Sequence, residues 1–176
     1  MGKYISILRG INVGGRNKVL MNDLKTLFEK TGVQKVQNYI QSGNILFEAE
    51  NLNITEFNLK IADAFQYEFG FSVPFITFSS KLIEKAINSN PFTTTYPIAQ
   101  LHLTFLAENP TLENKEGLFK KDFTDEYEII EKLFFIACKK QYSDTKLNNQ
   151  FIEKHLKVTA TTRNWKTVCK LHELSL

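Results

Sequence analysis

Three short stretches hold residues whose types and spacing could do chemistry. The first is Gly10-Ile11-Asn12-Val13-Gly14-Gly15, followed by Arg16-Asn17-Lys18. Its end glycines stand at the G-x-x-x-x-G spacing of a phosphate-binding loop. Arg16 and Asn17 replace the lysine and hydroxyl that such a loop needs next, so a P-loop nucleoside triphosphatase is excluded. Two readings remain. The loop is an anion-binding turn built from backbone N–H groups, or a glycine connection that lets backbone pack closely. The second stretch is Gln41-Ser42-Gly43-Asn44, which reads as a hairpin turn. A nucleophilic Ser42 would need a base within hydrogen-bond reach, and the sequence names none. The third is Thr162-Arg163-Asn164-Trp165, which reads as the opening of the last helix with Thr161 or Thr162 as N-cap. Arg163 and Asn164 then fall in the first turn, where a lone cation opposes the helix dipole and a held anion relieves it. Trp165 and Val168 face the core, with Cys169 and His172 alongside.

Other reactive residues are scattered. His102, His155 and His172 lie on separate elements, and no Cys or His pair has metal-ligand spacing. No metal and no cofactor is expected. Asp122 and Asp125 flank Phe123-Thr124 and read as caps or turn residues. Cys138 lies in an apolar run and should be inert.

The elements that must position these residues follow from periodicity and punctuation. Residues 3–9 read as a strand, 22–31 as a helix on Leu24, Leu27 and Phe28 closed by Gly32, and 35–48 as a hairpin. Asn53 and Glu56 stand at capping-box spacing before a helix over 54–69 that Gly70 ends. That reading also disposes of the Asn53-Ile54-Thr55 glycosylation sequon. A strand over 72–78 and a helix from Ser80, carrying Leu82, Ile83, Ala86 and Ile87, complete the half. The order β-α-β-β-α-β, then α, is the ferredoxin-like split βαβ arrangement, an α+β fold with helices on one sheet face. Residues 91–100 hold two of the four prolines and mark a boundary, giving subdomains 1–92 and 93–176. The second reads as strands at 101–107, 127–131 and 133–139 and helices at 111–121, 145–156 and 162–174. It is a smaller, related α+β half of order β-α-β-β-α-α.

With 43% hydrophobic residues and 23% charged ones, the 176-residue chain can build one or two cores. No apolar run reaches the length of a bilayer span, and no signal peptide is evident, so a cytoplasmic protein is expected, with no membrane association. Met1-Gly2-Lys3-Tyr4-Ile5-Ser6 fits a myristoylation pattern, but Tyr4, Ile5 and Ile7 read as strand, so the match is set aside. The net charge of +3 does not argue for nucleic acid. Its distribution is uneven: residues 1–22 hold Lys3, Arg9, Arg16 and Lys18 and no acid. Residues 154–172 hold Lys154, Lys157, Arg163, Lys166 and Lys170 and no acid. Elsewhere 13 basic residues face 19 acidic ones.

The runs Leu8 to Lys18 with Met21, Tyr39 to Asn44, Ala160 to Val168 and Lys170-Leu171 together resemble a largely bacterial family, domain of unknown function 1697. The resemblance implies an α+β fold related to the ferredoxin-like type and a cytoplasmic protein. It implies no activity and transfers no catalytic residue.

The reading these residues support is a binding protein or small enzyme for an anionic small molecule, phosphate- or carboxylate-bearing. Its site would draw on Arg9, Asn12, Gly14, Gly15, Arg16, Asn17 and Lys18 of the loop and Gln41, Ser42 and Asn44 of the hairpin. Arg163, Asn164 and Lys166 join if the last helix folds back, with Arg163 as bidentate anchor. A protein-interaction module without catalysis is the alternative. Nucleic-acid binding ranks third, because the aromatic-glycine signature of a sheet-borne RNA module is absent. No residue pair decides between enzyme and binder.

Overall fold

Eight strands and six helices follow the order β-α-β-β-α-β-α twice in a computed structural model that describes residues 1–176. In the first pass these are β1 (Gly2–Leu8), α1 (Met21–Lys30), β2 (Gln34–Tyr39), β3 (Asn44–Ala49), α2 (Ile54–Phe69), β4 (Phe75–Ser79) and α3 (Ser80–Ser89). The sheet runs β2-β3-β1-β4, with every neighbour antiparallel. β1 and β2 therefore share a direction with β3 between them, the split βαβ order expected from the sequence.

Alternation places Leu8, Ile45, Phe47 and Phe75 on the sheet face that meets Leu24 and Phe28 of α1 and Phe57, Ile61 and Phe65 of α2. Phe28 and Phe47 lie 5.7 Å apart by ring centroid, and Phe47 and Phe57 lie 5.1 Å apart. Ser6 shares that face but is fully buried and polar. It donates to Thr77 Oγ1 at 2.6 Å, and Thr77 donates to Asn58 Oδ1 on α2 at 2.5 Å, so the chain of hydroxyls ends on an amide acceptor. Asn53 Oδ1 accepts from Glu56 N at 3.3 Å to start α2, and Gly70 at φ 77° ends it.

The second pass comprises β5 (Leu101–Leu106), α4 (Leu112–Phe119), β6 (Glu126–Ile130), β7 (Leu133–Ala137), α5 (Asn149–Leu156), β8 (Ala160–Asn164) and α6 (Trp165–Ser175). Its sheet order, β6-β7-β5-β8, is the same pattern as the first, again antiparallel throughout. Leu106, Phe134, Ile136 and Cys138 pack with Leu118 of α4 and Ile152 and Leu156 of α5. By compactness the chain divides inside α3, into Met1–Ile83 with Leu171–Leu176, and Glu84–Lys170.

Here the sequence reading needs correction. Residues 160–164 form a strand, so the second half is β-α-β-β-α-β-α and not β-α-β-β-α-α. The helix expected over 145–156 begins only at Asn149, capped by Asn148, after a short 3-10 turn at Tyr142–Asp144. β8 is hidden in the sequence because Ala160-Thr161-Thr162-Arg163-Asn164 carries polar side chains at sheltered positions. Thr104 shares a 2.7 Å hydroxyl hydrogen bond with Thr162, which in turn donates to Asn149 Oδ1 at 2.8 Å. Hydroxyls satisfied in this way can occupy a sheet face that pattern reading reserves for hydrocarbon.

Candidate functional site

The glycine stretch folds as a hairpin of its own. Val13 and Arg16 form a β-bridge, with Gly14 (φ 58°) and Gly15 (φ 73°) at the tip. Successive positive φ values are what a type I′ turn requires. Arg16 N donates to Val13 O at 3.1 Å and Asn12 N to Asn17 O at 3.0 Å. A Cβ added at Gly14 or Gly15 would meet nothing within 4 Å. These glycines serve backbone conformation and not close packing.

The asparagines of the loop are occupied in holding it. Asn12, itself at φ 54°, donates from Nδ2 to Val19 O and to Gln41 O, each at 3.0 Å, and its Oδ1 accepts from Val19 N at 2.9 Å. Asn17 Nδ2 donates to Gly10 O at 2.9 Å. Asn44, fully buried, donates to Tyr39 O at 3.0 Å and Ser42 Oγ at 3.1 Å inside the β2–β3 turn. Together they tie the glycine hairpin, the approach to α1 and the β2–β3 turn into one end of the sheet.

The start of α1 faces a cleft of about 540 Å³ lined by Asn12, Gly15, Lys18, Val19, Leu20, Met21, Asn22 and Gln41. The N-cap position is Leu20, which has no side-chain acceptor to offer. The first helical bond is Leu24 N to Leu20 O at 3.1 Å, and no protein acceptor meets the N–H groups of Met21, Asn22 and Asp23. The Asp23 carboxylate lies in the first turn. Lys18 and Arg16 are both exposed.

Of the residues singled out by sequence, Asn12, Gly15, Lys18 and Gln41 thus line one cleft. Gly14, Arg16 and Asn17 stand on the hairpin, Arg9 is half-buried just after β1, and Ser42 and Asn44 belong to the β2–β3 turn. The helix start with its missing cap, Leu20 to Asp23, went unremarked. Its signal was present: Lys18-Val19-Leu20 offers no Ser, Thr, Asp or Asn before the first helical residue.

The other three candidates lie in the second unit, and their expected roles change. Thr161 and Thr162 are not N-caps, and Arg163 is not in a helical first turn; all three lie on β8. Arg163 pairs with Leu103 across the ladder and is 9% exposed. Burial lowers its guanidinium to about 10, which leaves it charged at neutral pH. The helix cap is Asn164, whose Oδ1 accepts from Thr167 N at 2.8 Å. Lys166 is exposed in the first turn of α6. Trp165 and Val168 are buried, as expected.

One cysteine–histidine pair exists, Cys138 Sγ and His102 Nδ1 at 3.9 Å. Burial pushes the thiol up to about 11 and the imidazole below its usual value, with a hydrogen bond to the Gln100 backbone opposing the latter. Both shifts favour the neutral pair, the reverse of an activated thiolate. No group of three His, Cys, Asp or Glu is placed to hold a metal ion, and no helix is long and apolar enough to cross a membrane.

Residues 1–135 match the model of a family described as a protein of unknown function (DUF1697). A solved structure of a conserved bacterial protein from Streptococcus pneumoniae is similar with a TM-score of 0.81 and 24% identity, over 99% of this chain and 98% of that one. At that identity the likeness shows the fold. No curated protein matches the chain.

Proposed function

The chain belongs to the DUF1697 family, and from that premise we propose that its first unit binds an anionic, phosphate- or carboxylate-bearing small molecule in the cleft at the start of α1. The observation that carries the reading is the set of N–H groups at Met21, Asn22 and Asp23 that no protein acceptor meets, at a cleft that Lys18 also lines. A helix start concentrates partial positive charge and convergent donors, and an oxyanion satisfies both. Asp23 takes part of the dipole's preference for negative charge. It leaves the three donors to solvent, where a ligand oxygen can replace water. Asn22 and Gln41 add polar groups at the same cleft. The reading rests on the first unit alone and serves a binder or a small enzyme equally.

Thermal unfolding against inorganic phosphate and acetate at constant ionic strength tests it. At about 100 times its dissociation constant a bound anion stabilises by roughly 2.7 kcal/mol. A rise that disappears in Lys18→Ala supports the site. An unchanged midpoint at every concentration, or a rise indifferent to that substitution, overturns it.

A further inference from the structure

We propose that the outer edge of β6, in the second unit, takes an extended peptide of alternating basic and apolar residues from a partner protein as a fifth, antiparallel strand of its sheet. The proposal is independent of the anion cleft in the first unit. β6 ends the sheet order, with β7 as its ladder partner. The hydrogen bonds of β7 fix which way the backbone of β6 points. Lys132 O accepts from Leu106 N and Cys138 N donates to Gln100 O, both toward β5. Leu133, Phe135 and Ala137 therefore turn their backbone groups toward β6, where Ile130, Glu128 and Glu126 stand opposite. Tyr127 and Ile129 are left with N–H and C=O directed outward, and no backbone group of the chain meets them. The matching edge of the first unit is blunted: β2 has a register shift between Gln34 and Gln37 and holds Lys35 at φ 51°. β6 keeps its register through five consecutive pairs and contains neither lysine nor proline.

The side chains select the occupant. Tyr127 and Ile129 lie against the apolar core, and Phe119, 54% exposed, stacks on Tyr127. Glu126 and Glu128 project to the other face of the sheet. The cleft of about 480 Å³ along the strand is lined by Asp122, Asp125, Glu126 and Glu128 against one base, Lys121. Lys139 pairs with Glu126 at 2.9 Å, and acid remains in excess. An added strand then finds partners for lysine or arginine beside the glutamates and for apolar side chains beside Tyr127 and Ile129. A second copy of β6 would bring its own glutamates to this edge, where like charges across strands repel.

The full-length chain, labelled with ¹⁵N, is titrated with three blocked hexapeptides. One alternates Lys and Val, one alternates Glu and Val, and one is the Lys–Val peptide with its valine nitrogens methylated. The Lys–Val peptide is expected to shift the Tyr127 and Ile129 amides most and to slow their hydrogen exchange. The methylated peptide keeps the charge and loses the donors that face β6, so its binding should be lost. Glu128→Lys, at an exposed position and with its amide spectrum otherwise unchanged, should weaken the Lys–Val peptide by about fivefold, the worth of one cross-strand charge pair. No response at Tyr127 and Ile129, equal binding of the methylated or the Glu–Val peptide, or indifference to Glu128→Lys overturns the proposal. A dimer that protects the same two amides without peptide assigns the edge to a second copy and overturns it as well.

Discussion

Asn12 and Val19 grip each other at both ends of one amide: Asn12 Nδ2 donates to Val19 O at 3.0 Å while its Oδ1 accepts from Val19 N at 2.9 Å. The same Nδ2 reaches Gln41 O at 3.0 Å. An aspartate would keep one of the three bonds and press a carboxylate against two carbonyl oxygens. Asn12→Asp is expected to cost about 2–3 kcal/mol, the sum of lost hydrogen bonds and unmet carbonyls. Urea unfolding checks this, with the midpoint lowered and the slope unchanged. A loss below about 0.5 kcal/mol, the range of a neutral surface change, would mean the clamp does not hold the loop.

Gly43 is the second point where the β2–β3 turn is fixed. It sits at φ 83°, its carbonyl accepts from Leu8 N at 2.8 Å, and an added Cβ would fall 2.8 Å from Leu8 Cβ and 3.0 Å from Ile11 Cδ1. Conformation and space both demand glycine. Gly43→Ala should destabilise by about 2 kcal/mol or more, combining left-handed strain with overpacking. Gly14→Ala meets open space, so only the conformational cost of about 1 kcal/mol applies. The two variants compared by denaturation separate packing from backbone strain.

Leu20 stands where most helices place a side-chain cap. Leu20→Asp should therefore raise the stability of the ligand-free protein by about 1 kcal/mol, because a carboxylate then meets the open N–H groups of α1. The same change should weaken phosphate binding, since cap and ligand compete for the same donors. Stability gained at the expense of binding is the expected signature of a functional position. A variant stabilised with phosphate affinity unaltered would place the anion elsewhere.

The His102–Cys138 pair sets a pH dependence. His102 has a lowered folded-state value, so the unfolded chain takes up its proton first as pH falls below about 6.5. Stability from this residue is present above that value and is lost on acidification. His102→Gln should make the fall in stability between about pH 7 and 5 shallower than in the parent. Cys138 is raised to about 11, so its contribution is present below about pH 8.5 and drains away as pH rises through about 11. At neutral pH its thiol should resist iodoacetamide in the folded protein, and half-buried Cys169 should be labelled first. Mass spectrometry of the alkylated protein decides the order.

Much of the fold was legible in the residues. Asn53 with Glu56, Gly70 and the Ser80 start marked elements whose ends fell within a residue of expectation, because capping and left-handed glycine are local demands. β8 was not legible, since it carries buried polar side chains, and the Thr162 hydroxyl is satisfied by Thr104 and Asn149, partners on other elements. That omission moved Arg163 from a strand into a helical turn and gave it a dipole argument it does not need. At the candidate cleft, the sequence located the loop and Lys18 but gave the asparagines a ligand role. The structure gives Asn12, Asn17 and Asn44 backbone carbonyls to hold. A side-chain amide reads the same in sequence whether it faces a ligand or its own chain.

The claim that α1 opens onto an anion site is tested most directly by following backbone amide shifts while inorganic phosphate is added to the labelled full-length protein. The account predicts that the Met21, Asn22 and Asp23 amides move most, saturably, and that Lys18→Ala weakens the response by about tenfold, the worth of one charge-assisted contact. Shifts centred instead on the Lys139, Lys140 and Lys146 cleft of the second unit, or scattered over exposed lysines without saturation, would contradict it.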